Sequence, residues 1–548
     1  MGPYLYSGAP PDFIEKLSTL EKQSDRCHER LSLFSYPWNV GAWGVLTGYI
    51  VGIEDTLNAR GPTSPAFHAQ MINIGRDASL LLEWVRAKAG HRPAPRSRFR
   101  WTPPLRRAAA EGAHVAHQYM TFKSHFPMWY KGHGFAEIID DSTIRFSPPT
   151  GGNQRRVAAF QKGLHAGATR PGMPSLAPPK PGPALLELLG RCKRGGTRRF
   201  SYPEPRQALR EILPTYAQRL TVLSRREESL DLGRYTLANF KQFFSALLTI
   251  SSVHEYLCFA WGTRHNYPAD SAVLVNRPQR WIELIADLCP MSSTTAESIL
   301  NSLILPDKTR DVFLHPFIPL DSESRVLGIA PHVVLRSNYE ENVLRICSHQ
   351  SPAAYDEISR LKEAEMFKDL TNSIPPRYSP RGSVKLPPPW PDLDLVLEDK
   401  ATSTIILAEL KWLRKPIGLE RLDRDKDFVK GVAQLKRIGS FLSGCPTYLS
   451  DRKVLSAPLP AYRRVQYLLV ARDHFNWIDP DHDCPMAEYE TFKHAVRDAT
   501  DLQAALETLL SYEWLPQEGR DFVVRYERFC VEGVCIEAEV YYGLHEVN

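Results

Sequence analysis

Two short apolar segments between residues 390 and 416 constrain the fold of this chain more than any other stretch. Residues 393–397 and 404–412 are each long enough for a buried β-strand and short for a helix, and a polar stretch separates them. They predict two adjacent strands that pair as a hairpin in the interior of a sheet. Charged residues stand at one end of each strand, where an apolar sheet does not need them.

These charged residues fall on shared faces of the predicted strands. Side chains alternate along a strand, so Asp392 and Asp394 share one face, as do Glu409 and Lys411. Hairpin pairing would bring Asp394 to Glu409. Two adjacent carboxylates repel unless a cation lies between them, and hard oxygen ligands favour Mg²⁺ or Mn²⁺. We therefore expect a divalent-metal site with the Leu410 carbonyl as a further ligand and Lys411 beside the metal, orienting a water.

The flanking segments predict a frame for this site. Residues 355–374 and 423–442 have helical apolar spacing, a short strand precedes residue 390, and residues 465–470 form a further strand. The order is helix, three strands, helix, strand, which is an α/β module with a mixed sheet flanked by helices. Residues 486–510 predict another helix, followed by strands at 521–528 and 534–542.

The sequence Pro391-Asp392-Leu393-Asp394, followed by Glu409-Leu410-Lys411, resembles the PD-(D/E)XK nuclease superfamily over about residues 353–475. The resemblance implies a restriction-endonuclease-like fold and Mg²⁺-dependent hydrolysis of phosphodiester bonds in nucleic acid, with DNA favoured over RNA. Bacterial or antiviral defence is a frequent setting for that family.

The resemblance also implies roles for individual residues. Asp394 is expected as the main acidic ligand, with Asp392 as the alternative. The family often carries a glutamate on the helix before the sheet, where Glu365 is the better candidate and Glu363 the weaker. It often places a Gln or Lys on the helix after the lysine strand, and Gln434 fits that position.

The 548-residue length predicts two to four domains. We expect a mainly helical N-terminal domain at 1–146, a basic Pro/Gly-rich linker at 147–183, a mainly helical middle domain at 184–350 and the nuclease-like domain at 351–548. Between residues 145 and 199 there are eleven Lys or Arg and one acidic residue. That excess fits either an ordinary basic linker or a segment attracted to phosphates. The Arg-rich stretch at 91–107, with Phe99 and Trp101, offers the same two alternatives.

Composition limits the cellular setting. The net charge of +6 is mild, so only its distribution can favour a polyanionic partner. Nine scattered cysteines without a C-x-x-C pair indicate neither a disulfide framework nor a zinc ribbon. No signal peptide is evident and no apolar stretch is long enough to suggest a membrane span, so we expect a cytoplasmic protein.

Three functions remain open at this stage. The first is a Mg²⁺-dependent nuclease whose helical N-terminal regions position nucleic acid or bind protein partners or further copies of the chain. The second is a non-cleaving nucleic-acid-binding or scaffold protein that retains the fold. The third is a metal-dependent hydrolase of small phosphate compounds.

Overall fold

The computed structural model describes residues 4–60, 65–89, 94, 99–148, 152–161, 180–194, 200–220, 229–263, 265, 267–306, 311–321, 323–337, 339–412, 425–472 and 484–544. The helices of the first 350 residues are α1 (Pro11–Ser24), α2 (Trp38–Arg60), α3 (Pro65–Lys88), α4 (Pro103–Lys123), α5 (His125–Tyr130), α6 (Gly152–Gln161), α7 (Pro183–Gly190), α8 (Arg206–Arg219), α9 (Leu237–Gly262), α10 (Pro278–Leu288), α11 (Ser293–Ser302), α12 (Pro331–Leu335) and α13 (Tyr339–Gln350). The later helices are α14 (Pro352–Ser373), α15 (Asp425–Gly444), α16 (Tyr448–Asp451), α17 (Tyr489–Asp498) and α18 (Leu502–Leu510).

The strands of the described residues form four sheets. They are β1 (Phe135–Ile138), β2 (Thr143–Ser147), β3 (Lys193–Arg194), β4 (Phe200–Ser201), β5 (Leu274–Asn276), β6 (Ile318–Pro319), β7 (Leu327–Ile329), β8 (Arg381–Val384), β9 (Leu393–Asp399), β10 (Thr404–Trp412), β11 (Arg464–Arg472), β12 (Met486–Glu488), β13 (Phe522–Val531) and β14 (Val534–Gly543). The expectation of a helical N-terminal region followed by mixed helix and sheet is confirmed.

The sheet that matters most for the site has five strands in the order β12-β11-β10-β9-β8. Strands β8, β9 and β10 pair antiparallel, whereas β10, β11 and β12 run parallel. Helix α15 packs over one face, and α14 with α18 covers the other. The observed order from α14 to β11 includes the predicted helix, three strands, helix and strand, with the short helix α16 added before β11. Strand β10 spans the predicted residues 404–412.

The predicted helix at 486–510 is wrong as a single element. Residues 486–488 are strand β12, and two shorter helices follow. Glu488 caps α17 by accepting from the Thr491 N–H, and Asp501 caps α18 by accepting from the Ala504 N–H. An acidic N-cap satisfies an otherwise unpaired amide at a helix start, so each of these residues begins a new helix.

The C-terminal strands do not belong to the five-stranded sheet. Strands β13 and β14 join β1 and β2 in the order β1-β2-β14-β13, with Cys535 opposite Thr143. Side chains from the tip of this hairpin, such as Val534, enter the N-terminal core. The expected domain 351–548 therefore extends beyond the packed unit around the five-stranded sheet. The boundary at 350 is also not a break in packing, because one hydrophobic core contains side chains from both sides of it.

The structure describes the two basic segments, residues 91–107 and 147–183, to different extents. In the stretch at 91–107, Phe99 is 3% exposed and stacks on Trp43, while Trp101 meets the same ring edge-on. These aromatic side chains are thus used in the core, which removes the main reason to read this stretch as a base-stacking arm. The expected linker at 147–183 contains α6, and its residues 162–179 lie outside the described residues.

One helix in the described part of the chain, α9, is long and apolar enough to cross a membrane, but 78% of its apolar window is buried inside the protein. It therefore has the surroundings of a core helix.

A disulfide joins Cys530 to Cys535, which face each other across the β13–β14 hairpin. This single bridge was not expected, and the close spacing of the two cysteines around the turn was its signal.

Candidate functional site

Strand pairing places the predicted acidic residues together. The β9–β10 register pairs Leu395 with Ala408, and its continuation by one residue sets Asp394 opposite Glu409. The Leu410 backbone N–H donates a hydrogen bond of 2.9 Å to Asp394 Oδ2. Both carboxyl groups therefore lie on the sheet face covered by α15, at the end of the strands away from the turn that joins them.

Glu409 is the most buried member of the group. It is 1% exposed, and its Oε1 accepts a 2.6 Å hydrogen bond from Lys411 Nζ. Its Oε2 is buried with no hydrogen-bond donor among the described residues, and the Asp394 carboxyl group is close enough to share a proton with Glu409. Burial, and then the charge of neighbouring Asp394, raise the pKa of Glu409 from 4.5 to about 7. A buried acceptor without a donor is costly, and such an atom is a natural ligand for a cation.

Asp394 shares this environment, whereas Asp392 does not. Burial raises the pKa of Asp394, opposed mainly by the hydrogen bond from the Leu410 N–H and the charge of Lys411. Asp392 is exposed and contributes only a weaker repulsion. Of the two alternatives, Asp394 is therefore the one whose carboxyl group meets Glu409.

Lys411 completes a cluster with Asp394 and Glu409, which we call the carboxylate–lysine site. Although burial opposes its charged form, the pKa of Lys411 is raised, because Glu409 holds the ammonium by charge and hydrogen bond. Helix α15 passes close to this side chain at Gly431, where an added Cβ would lie 3.4 Å from Lys411 Cε and 2.9 Å from a Leu469 methyl. The glycine thus allows the helix to approach the lysine, a role that sequence reasoning did not assign.

The helix glutamate near the site is Glu363, and the preference for Glu365 is not supported by the geometry. Burial raises the pKa of Glu363, while the charge of Lys411 and a hydrogen bond from the Trp412 backbone oppose this. Glu365 instead pairs with Lys362, with 3.4 Å between Glu365 Oε2 and Lys362 Nζ, and its side chain is half-exposed. Residues two apart on a helix point about 200° apart, so only one of them can face the site. The spacing of Glu363 with buried Met366 and Leu370 was the available signal.

Gln434 lies on α15, half-buried and one turn after Gly431, which contacts the lysine. The Gln434 side chain has no hydrogen bond to the described residues. Gln434 makes no hydrogen bond to Asp394, Glu409 or Lys411, so its expected role stays a prediction.

The donor set can be compared with the needs of a divalent metal. Asp394 and Glu409 supply adjacent carboxylate oxygens, one of them buried and unpartnered, and hard oxygens suit Mg²⁺ or Mn²⁺. The described residues contain no cluster of three or more His, Cys, Asp or Glu arranged to hold a metal. The two carboxylates match the one or two that Mg²⁺ commonly takes from a protein while it keeps several waters.

The chain has no significant match among protein-family models, curated proteins or solved structures.

Proposed function

We propose that this protein is a Mg²⁺-dependent (or Mn²⁺-dependent) nuclease that hydrolyses phosphodiester bonds, with DNA as the expected substrate. The observation that carries the proposal is the buried Glu409 oxygen without a donor, next to Asp394 and Lys411. Two carboxylates forced together in a low-dielectric setting hold the metal-free site in an unfavourable state, which a divalent cation would relieve.

In this proposal Asp394, Glu409 and the Leu410 carbonyl hold the metal, which would supply Lewis acidity and an activated water. Lys411 orients the attacking water and offsets negative charge that develops on the phosphoryl group. Glu363, half-buried and near enough to Lys411 for their charges to interact, positions Lys411 and balances its charge. Gln434 borders the site and can donate hydrogen bonds to a phosphate oxygen.

The arrangement of secondary structure also supports the proposal. The run from α14 to β11 keeps the helix, three strands, helix and strand of the PD-(D/E)XK resemblance. The carboxylates lie together at one end of the central antiparallel pair. A cytoplasmic location and a role in defence belong to the same proposal, as does association with protein partners or further copies.

The test is incubation of the purified full chain with plasmid, single-stranded DNA and RNA, in Mg²⁺ or in EDTA. We expect cleavage in Mg²⁺ alone, abolished by Lys411→Ala and by Asp394→Asn. Lys400→Ala is the matched control, because Lys400 is exposed in the turn at the opposite end of the same hairpin. Thermal melting separates loss of activity from loss of fold. Undiminished cutting by a folded Lys411→Ala variant would contradict the assignment.

A second candidate is a non-cleaving nucleic-acid-binding or scaffold protein. The absence of a three-ligand metal cluster among the described residues favours it. Binding of nucleic acid without metal-dependent cleavage of any substrate would select this candidate over the nuclease.

A further inference from the structure

One face of α15 carries polar side chains that the core does not use. Lys430, Gln434 and Arg437 are spaced four and three residues apart and so share a face, which flanks the buried stripe of the helix. Lys430 and Arg437 are exposed and Gln434 is half-buried. We call these three residues the polar face of α15.

These side chains have few partners of their own. Lys430 and Gln434 make no hydrogen bond or ion pair with the described residues, and Arg437 donates one hydrogen bond to the Pro389 carbonyl. Some surface arginines are paired with acidic side chains: Arg145 pairs with Glu537, and Arg280 with Glu204. Lys430, which has no carboxylate partner among the described residues, is exposed and can meet an anionic ligand.

The polar face also borders the carboxylate–lysine site. Gly431, the neighbour of Lys430, lies against the Lys411 side chain. The hydrogen bond from Arg437 to Pro389 ties the same face to the segment 387–392, which leads into β9 and Asp394. Within that segment Trp390 packs against Phe441 of α15, with ring centroids 5.5 Å apart. The helix face and this segment thus run together toward the site.

The spacing suits a nucleic-acid strand. Seven residues separate Lys430 from Arg437, which is about 10 Å along a helix axis. Along a duplex axis each strand carries a phosphate about every 3.4 Å, so two cations at this separation span about three phosphate steps. Gln434 between them offers amide hydrogens to the backbone. The exposed carboxylate of Asp392 is the one acidic group of segment 387–392, and it lies at the end next to the site.

We propose that the polar face of α15 binds the sugar-phosphate backbone of a nucleic acid and leads one strand to the carboxylate–lysine site. This inference rests on the proposed function and specifies where its substrate lies. Lys430 and Arg437 act through phosphate contacts, so binding at this face is independent of base sequence.

The test is binding of fluorescently labelled duplex and single-stranded DNA oligonucleotides to the full chain in EDTA, measured by anisotropy. Without metal, binding is read separately from cleavage. The binding constant for duplex DNA varies as the salt concentration to the power of about −0.9 for each phosphate that the protein neutralises. At 0.1 M salt, Lys430→Glu should therefore weaken duplex binding about eightfold, and Lys430→Glu with Arg437→Gln about sixtyfold. The salt slope should fall by about one per residue, equally for unrelated sequences.

Lys400→Glu is the matched control, since it makes the same charge change on an exposed lysine at the far end of the β9–β10 hairpin. It should retain wild-type affinity to within about twofold after correction for net charge. Because Arg437 also supports segment 387–392, the single Lys430→Glu variant is the decisive one.

The outcomes separate this inference from the proposed function. Wild-type affinity in Lys430→Glu, together with Mg²⁺-dependent cutting, would overturn the polar face and leave the nuclease standing. Weakened binding in Lys430→Glu, together with no cutting by the wild-type chain in Mg²⁺, would support the polar face of α15 and reject the nuclease. Failure of the wild-type chain to bind any oligonucleotide would overturn the inference. Equal binding of polyglutamate, lost in the same variants, would assign the face to an acidic protein instead.

Discussion

The ionisation of Glu409 gives a prediction that does not depend on catalysis. Its pKa is 4.5 when unperturbed and about 7 in the folded protein, mainly because the carboxyl group is buried. A rise of this size corresponds to about 3 kcal/mol, at about 1.4 kcal/mol per pKa unit. Below pH 4.5 the group is protonated in both states. Between 4.5 and about 7 the unfolded chain releases its proton first, so stability falls as the pH rises.

We therefore expect the metal-free protein to lose about 3 kcal/mol of unfolding free energy from this one group between about pH 4.5 and pH 8. Glu409→Gln removes the titrating group and keeps an acceptor for Lys411. The unfolding free energy of this variant minus that of wild type should therefore rise by about 3 kcal/mol between about pH 4.5 and pH 8. The raised pKa of Asp394 adds a contribution of the same sign. The measurement is urea unfolding in EDTA at several pH values, followed by tryptophan fluorescence.

The control is Glu398→Gln, which alters a second buried glutamate, on the neighbouring strand β9. Hydrogen bonds from Ser456 and Tyr462 outweigh the effect of burial and lower the pKa of Glu398, so its contribution has the opposite sign. The difference between Glu398→Gln and wild type should therefore change in the opposite direction with pH. If the stability curves of Glu409→Gln and wild type run parallel from about pH 5 to pH 8, Glu409 does not titrate as the geometry requires.

Three further variants test other parts of the structure. Glu363→Gln should lower metal-dependent cleavage at least about tenfold by loosening Lys411, whereas Glu365→Gln should leave it within about twofold, as compared by single-turnover rates. Phe99→Ala should cost about 3–5 kcal/mol of stability through the cavity beside Trp43, with unchanged DNA affinity per folded molecule, measured by urea unfolding and anisotropy. Val534→Ala should destabilise the N-terminal core by about 1–3 kcal/mol, visible as faster hydrogen exchange in α1 and α4.

The central hairpin could be predicted from the sequence because its signals are local. Continuous apolar runs bounded by polar residues fix β9 and β10, and alternation of side chains then sets Asp394 and Glu409 on a common face. Glu363 could not be chosen over Glu365 with the same certainty, because that choice depends on the rotational phase of α14. The apolar residues of α14 fit more than one phase, and tertiary packing decides between them.

The partner of the C-terminal hairpin was beyond the reach of local reasoning. Alternation predicts that β13 and β14 exist, but no pattern within them indicates that β14 pairs with β2 rather than with the adjacent module. The same limit applies to Phe99, whose arginine-rich neighbours indicate an exposed arm, while its ring is drawn into the core beside Trp43. In both cases, contacts with residues far away in the sequence determine where the segment packs.

The pairing of β14 with β2 has a consequence for how this protein is made. Cys535 lies opposite Thr143, so the N-terminal sheet cannot be completed until the ribosome has synthesised almost 400 further residues. Until then β2 has an open edge, which is a site for pairing with other chains. We expect nascent chains to depend on chaperones over this interval. The module with the carboxylate–lysine site is synthesised within it, so the site can form before the N-terminal sheet is closed.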